Sequence, residues 1–120
     1  MAYDESNIFA KILRGEIPND TVLENQHVLA FNDITPKAPV HVLVIPKGQY
    51  TDIHDFGQRA SSDEKAALFD AVAEIAEMKN FEEEGFRTIA NTKSNGGQEV
   101  SHFHLHILGG APMGPMVSSS

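Results

Sequence analysis

Late in the chain the sequence reads HFHLHIL (102–108), with histidine at 102, 104 and 106 and apolar residues between and after them. Strict alternation is the period of an extended strand, whose side chains point to opposite faces in turn. His102, His104 and His106 are therefore expected on one face. Phe103, Leu105 and Ile107 are expected on the other, against a core. At ~3.3 Å per residue the outer histidines stand ~13 Å apart and neighbours ~7 Å apart. One atom cannot be served by all three rings, but two adjacent rings can converge on it. His104, in the middle, is the chemically central residue.

Four readings of the strand compete. The rings are surface histidines on a polar sheet face, or zinc ligands, since His-x-His on a strand is a real ligand arrangement and Glu99 or His41 is a conceivable third donor. They also suit a general acid/base cluster. The fourth reading is nucleophilic: a neutral imidazole attacks phosphorus well, and near its ordinary pKa of about 6.5 most of it is neutral at pH 7. The attacking nitrogen needs a free lone pair, so the other must donate, most simply to a backbone carbonyl.

Charge narrows the partners. Nine basic residues against seventeen acidic ones give −8, which repels a nucleic-acid backbone, and no basic patch stands out. The same charge repels a phosphorylated small molecule at long range, so a phosphate site must be local and built from backbone N–H groups and histidines. With no cysteine, disulfides, thiolate metal sites and thiol catalysis are excluded. The 120 residues, 41% apolar and 22% charged, suit one globular domain with a tail-like stretch at 111–120. The opening MAYDESNIFA lacks a basic-then-apolar leader pattern, and no apolar run approaches the ~20 residues of a membrane span, so a cytoplasmic protein is expected.

Along the chain, Ile8, Phe9, Ile12 and Leu13 fall at helical spacing and predict a helix at about 7–14, with Ser6 as N-cap and Gly15 as stop. TVLEN (21–25) and HVLAFND (27–33) predict two strands joined near Asn25-Gln26. VHVLVIP (40–46) is a β-branched central strand. Ser61–Lys79 is the long helix, opened by a Ser61/Glu64 capping box, with Leu68, Val72, Ile75 and Lys79 along one face. FRTIAN (86–91) is a strand, TKSNGGQEV (92–100) a loop, and 102–108 the last strand. Two helices and five strands predict an α+β fold with a mainly antiparallel sheet.

These segments together resemble the histidine-triad (HIT) family, specifically its Hint branch. HFHLHIL fits the family pattern of three histidines alternating with apolar residues. NIFAKILRGEIP (7–18), LAFNDITPKAPVHVLVIPK (29–47) and the Gly96-Gly97-Gln98 loop ahead of the triad are similar to the family in the same order, covering about 7–110. The resemblance implies the HIT fold, a five-stranded antiparallel sheet with two helices, in a homodimer paired across the long helix and a strand. It implies a nucleotide phosphoramidase that cleaves the P–N bond of purine nucleoside 5′-phosphoramidates through a nucleotidyl-histidine, with a purine nucleotide as ligand and no metal or cofactor.

By the resemblance, His104 is the nucleophile, His106 contacts the α-phosphate near the leaving group, and His102 is a positioning residue. His41 is a fourth histidine facing the phosphate. Phe31, Asp33 and Ile34 match the family's nucleoside-binding segment, in which the carboxylate accepts from ribose hydroxyls. Ile8, Phe9, Ile12 and Ile17 complete an apolar purine slot, although their spacing equally suits plain core packing. Asp33 is more telling, since a carboxylate inside LAFNDI serves no packing purpose, with a turn ahead of Thr35-Pro36 as its competing role. Asn91, Gly97, Gln98, Glu99 and Val100 precede the triad, where glycine lets successive N–H groups converge on an anion. Glu99 departs from the serine frequent in relatives, and its carboxylate favours an amine-bearing leaving group. Two alternatives stand beside this expectation: a dinucleoside polyphosphate hydrolase, and a nucleotide-binding interaction module with incidental catalysis.

Overall fold

A computed structural model describes residues 3–118. Its centre is one five-stranded sheet: β1 (Thr21–Glu24), β2 (Val28–Asn32), β3 (Val40–Pro46), β4 (Arg87–Ile89) and β5 (Leu105–Gly109). The spatial order is β1-β2-β3-β5-β4, and every neighbouring pair is antiparallel. The middle strand β3 is covered on both faces, which is why VHVLVIP reads as an almost unbroken apolar run rather than an alternating one.

The pleat divides the strands into two sets of side chains. Val28, Ala30, Val42, Val44 and Ile107 form one core with Phe103 and with Leu68, Ala71, Ile75 and Ala76 of the long helix. Leu29, Phe31, Leu43 and Ile45 form a second, smaller core with Phe9 and Ile12 of the first helix. His41 shares the parity of Leu43, and His106 pairs with Leu43 across the β3–β5 ladder, so both histidines belong to the second face.

The α+β class and the five-stranded sheet hold, but two helices was an undercount: the described residues form four. α1 is Ile8–Leu13, α2 Ile53–Arg59, α3 Ser62–Met78 and α4 Lys93–Gly96. The seven residues of α2 put only Phe56 into the core, too short a pattern to show helical periodicity. Its start is fixed locally, by the Asp52 side chain accepting from Asp55 N–H. α4 is a single turn inside the expected loop.

Smaller differences have local causes. The cap of α1 is Asn7, whose side chain accepts from Ala10 N–H at 2.9 Å, while Ser6 hydrogen-bonds Asp4 instead. The capping box of α3 forms as expected between Ser61 and Glu64. Its buried stripe, however, runs through Leu68, Ala71, Ile75 and Ala76 and leaves Lys79 as the C-cap. β5 begins at Leu105 rather than at residue 102. Opposite Phe103 the ladder would need Pro46, which has no N–H to offer and whose carbonyl is taken by His102 Nε2; Phe103 N–H donates to Tyr50 C=O at 2.8 Å. Among the described residues no helix is long and apolar enough to cross a membrane.

Candidate active site

His104 and His106 meet as the strand begins, with ring centroids 5.1 Å apart. Both line a cavity of about 220 Å³ on the α1 face of the sheet. Its apolar wall comes from Ile8, Phe9, Ile12, Ile17, Phe31 and Leu43, and its polar rim from Asp33, Glu99 and Asp20. Phe9 packs edge-on against the His104 ring at 4.9 Å and against Phe31 at 5.8 Å.

The two rings are held in opposite tautomers. His104 Nδ1 lies 2.7 Å from the His102 carbonyl. A carbonyl only accepts, so Nδ1 carries the proton and Nε2 keeps its lone pair. For His106 the order is reversed. Lys37 backbone N–H donates to His41 Nδ1 at 3.0 Å, which places the His41 proton on Nε2. That nitrogen is 2.9 Å from His106 Nδ1 and donates to it, so the His106 proton sits on Nε2. One backbone carbonyl and one backbone N–H thus create a nucleophile-ready ring beside a donor-ready ring.

Burial keeps all four rings neutral. It lowers His104 despite its hydrogen bond to the His102 carbonyl and the nearby Asp33 and Glu99 carboxylates. Burial lowers His106 to about 4, helped by the neighbouring His104 and His41. His41 is lowered by burial against an opposing pull from Asp33. His102 is fully enclosed and lowered to about 4, again mainly by burial.

Asp33 has two roles. One carboxylate oxygen accepts from Thr35 N–H at 2.9 Å, which is the turn expected from sequence. The other lies 3.4 Å from His41 Nε2, which puts a negative charge beside the histidine pair. Asp33, His41 and His106 each bring one potential metal-ligand atom to within 4.8 Å of the others, a trio that includes His41, one of the two third donors conceivable from sequence, but not Glu99.

Not every expected residue converges here. Ile34 lines only the mouth of the cavity and is 94% exposed. Asn91, Gly97 and Gln98 do not line the cavity. The N–H groups of Gly96, Gly97 and Gln98 go to the carbonyls of Thr92, Ser94 and Lys93, so the glycine turn spends its donors on itself. Gln98 is a staple: Oε1 accepts from Lys93 N–H, and Nε2 donates to Thr51 and Val100 carbonyls. Asn91 lies under Gly96, where a Cβ would come within 3.3 Å of the Asn91 backbone. Glu99 and Val100 do reach the cavity. The sequence reading missed Pro18, Asn19, Asp20, Asn32 and Leu43 in its wall; only Leu43 was legible, two residues after His41 and hence on its face.

A larger hollow of about 500 Å³ lies beyond α1 among Tyr3, Arg14, Lys47 and Gln49. Its cations are already paired, Lys47 with Glu24 in its wall and Arg14 with Glu16 outside it, and neither His104 nor His106 reaches it. The chemistry belongs to the smaller cavity.

Comparison with known proteins agrees with this geometry. The HIT domain family model matches residues 14–113. A HIT-like protein of Azospirillum brasilense is 51% identical over 97% of this chain and 95% of its own length. The purine nucleoside phosphoramidase of Escherichia coli (strain K12) is 44% identical over 95% of each chain. The solved structure of a histidine triad protein from Clostridium difficile superposes with a TM-score of 0.84 at 40% identity, covering 97% of this chain and all of that one.

Proposed function

The chain belongs to the HIT-domain family and is related to its Hint-branch purine nucleoside phosphoramidases, and on that premise we propose that it hydrolyses purine nucleoside 5′-phosphoramidates through a nucleotidyl-His104 intermediate. The observation that carries this reading is the pair of opposed tautomers. His104 Nε2 has an unshared pair on a ring that lines the cavity beside Phe9, and His106 Nε2–H is the adjacent donor.

In this scheme the nucleoside lies in the apolar slot of Ile8, Phe9, Ile12, Ile17 and Phe31, with Asp33 accepting from ribose hydroxyls and Ile34 at the mouth. His104 Nε2 attacks the α-phosphorus as the P–N bond breaks, and the departing nitrogen takes a proton through His106 Nε2–H, backed by His41, to leave as a neutral amine; the water of the next step returns that proton. Water then cleaves the His104–phosphorus bond, so one water is consumed and a nucleoside monophosphate and an amine are released. Asn91, Gly97 and Gln98 support this site from behind by shaping the turn, leaving Glu99 and Val100 to meet the substrate. No metal is needed, and turnover should persist in a chelator.

Leaving-group preference follows from charge. Among the described residues the cavity wall has no lysine or arginine but carries Asp20, Asp33 and Glu99. A polyphosphate leaving group would meet three carboxylates, whereas an amine would meet a favourable field. This disfavours the dinucleoside polyphosphate alternative. The chain would act as one HIT domain in a cytoplasmic homodimer, for which Phe69 on the outer face of α3, 73% exposed, supplies an apolar contact.

The deciding experiment is rapid quenching of the enzyme with an adenosine phosphoramidate under acid-free conditions, followed by peptide mapping of the adduct. A nucleotidyl group on His104 is expected. Turnover with the label on another residue, or with none trapped in any mutant of the hydrolytic step, would remove His104 as the nucleophile.

A further inference from the structure

Tyr3 lies 99 residues from the triad in sequence, yet its hydroxyl is 2.5 Å from His102 Nδ1. The opposite nitrogen of that ring, Nε2, is 2.9 Å from the Pro46 carbonyl. Since Pro46 C=O only accepts, Nε2 carries the His102 proton and Nδ1 is a bare acceptor; the Tyr3 O–H is therefore the donor. His102 is 0% exposed, so water does not compete for either nitrogen. The Tyr3 ring stands edge-on to His102 at 5.6 Å and 74°, and Phe9 flanks the same imidazole at 6.4 Å.

The peptide that follows this clamped side chain is the one that sets the tautomer of His104. Its carbonyl, that of His102, receives His104 Nδ1–H at 2.7 Å. Its N–H, that of Phe103, donates to Tyr50 C=O at 2.8 Å. Residue 102 is thus held by Tyr3 and Pro46 through its ring and by Tyr50 through its peptide. Of these three anchors Tyr3 is the one supplied by a side chain, and it comes from outside every helix and strand.

We infer that Tyr3 is a positioning residue: its hydroxyl fixes the tilt of the His102 ring, whose tautomer Pro46 sets, and through the His102 carbonyl it holds the His104 lone pair in its line of attack. This rests on the reading of His104 as nucleophile. Removing the hydroxyl leaves His102 Nδ1 an unsatisfied buried acceptor. The ring then gains by tilting toward another donor while its Nε2–H stays on Pro46 C=O, and the carbonyl beneath His104 moves with it. Small misalignments of a reacting group cost roughly 10- to 100-fold in rate.

The test compares the full-length protein with Tyr3→Phe, which keeps the ring and removes only the donor. Expected are a fall in kcat of about tenfold against an adenosine phosphoramidate with KM changed less than about twofold, and a shift of the His102 Nδ1 resonance in ¹⁵N NMR away from its hydrogen-bonded position. Tyr3→Ala should be no less impaired in kcat. Unchanged kcat in Tyr3→Phe, or a loss that only follows the folded fraction, would overturn the inference. If the wild-type protein turns over no phosphoramidate, the functional reading falls separately; the ¹⁵N signals of His102 and His104 in Tyr3→Phe still decide whether Tyr3 governs the two rings.

Discussion

On the α3 side of the sheet, Val28, Ala30, Val42, Val44 and Ile107 meet Leu68, Ala71 and Ile75 through aliphatic contact. On the α1 side, Leu29, Phe31 and Leu43 share their face with His41 and His106, and Phe9 packs against His104. Both faces come from the same strands, one residue out of phase. The first is stabilised by removing apolar area from water, the second by apolar walls around polar rings whose every buried nitrogen and oxygen has a partner among the described residues. A face built only for burial has no reason to fix a tautomer. The α1 face fixes four.

If the division of labour is real, the largest effect comes from the reactive ring. His104→Ala should lower turnover of an adenosine phosphoramidate by about 10⁴-fold or more while nucleoside monophosphate binding, read by calorimetry, changes only a few-fold. Near-normal hydrolysis by that variant would dissolve the distinction between the faces.

The α3 face should fail in the opposite way. Ile75 is fully buried, and Ile75→Ala should cost about 2–5 kcal/mol in denaturant unfolding. kcat per folded molecule should stay at the wild-type value, and a selective loss of kcat would show that the two faces are coupled.

Stability should also depend on pH through the α1 face. His102 titrates at about 4 when folded and near 6.5 when unfolded. Between those values the unfolded chain binds the extra proton, so stability rises with pH. The contribution is complete above about pH 6.5 and is lost as pH falls toward 4, on the order of 3 kcal/mol. His102→Gln should flatten that part of the unfolding profile; an unchanged slope would mean the ring is not held neutral by burial.

A smaller change should follow from loosening the donor ring. His41→Ala removes the partner that places the His106 proton on Nε2, and kcat should fall about 10- to 100-fold with KM nearly constant. An effect confined to KM would make His41 a binding residue instead. Smallest of all, Ile34→Ala, at the exposed rim, should change KM by less than about threefold.

Sequence alone determined the strand order's raw material. Alternation in HFHLHIL and the run VHVLVIP placed the histidines and the central strand, because side-chain direction in an extended chain depends only on parity. It also gave the long helix and its cap, since Ser61 and Glu64 satisfy each other within one turn. Helix α2 escaped because a short helix buries one side chain, and one residue has no period. The glycine turn misled because a local sequence shows that N–H groups can converge, not whether carbonyls of the same turn have already taken them. Which nitrogen of His102 and of His106 carries its proton was decided only in three dimensions. That choice depends on partners 65 and 99 residues away, and on a carbonyl at Pro46 that the chain places beneath His102 only after the sheet has formed.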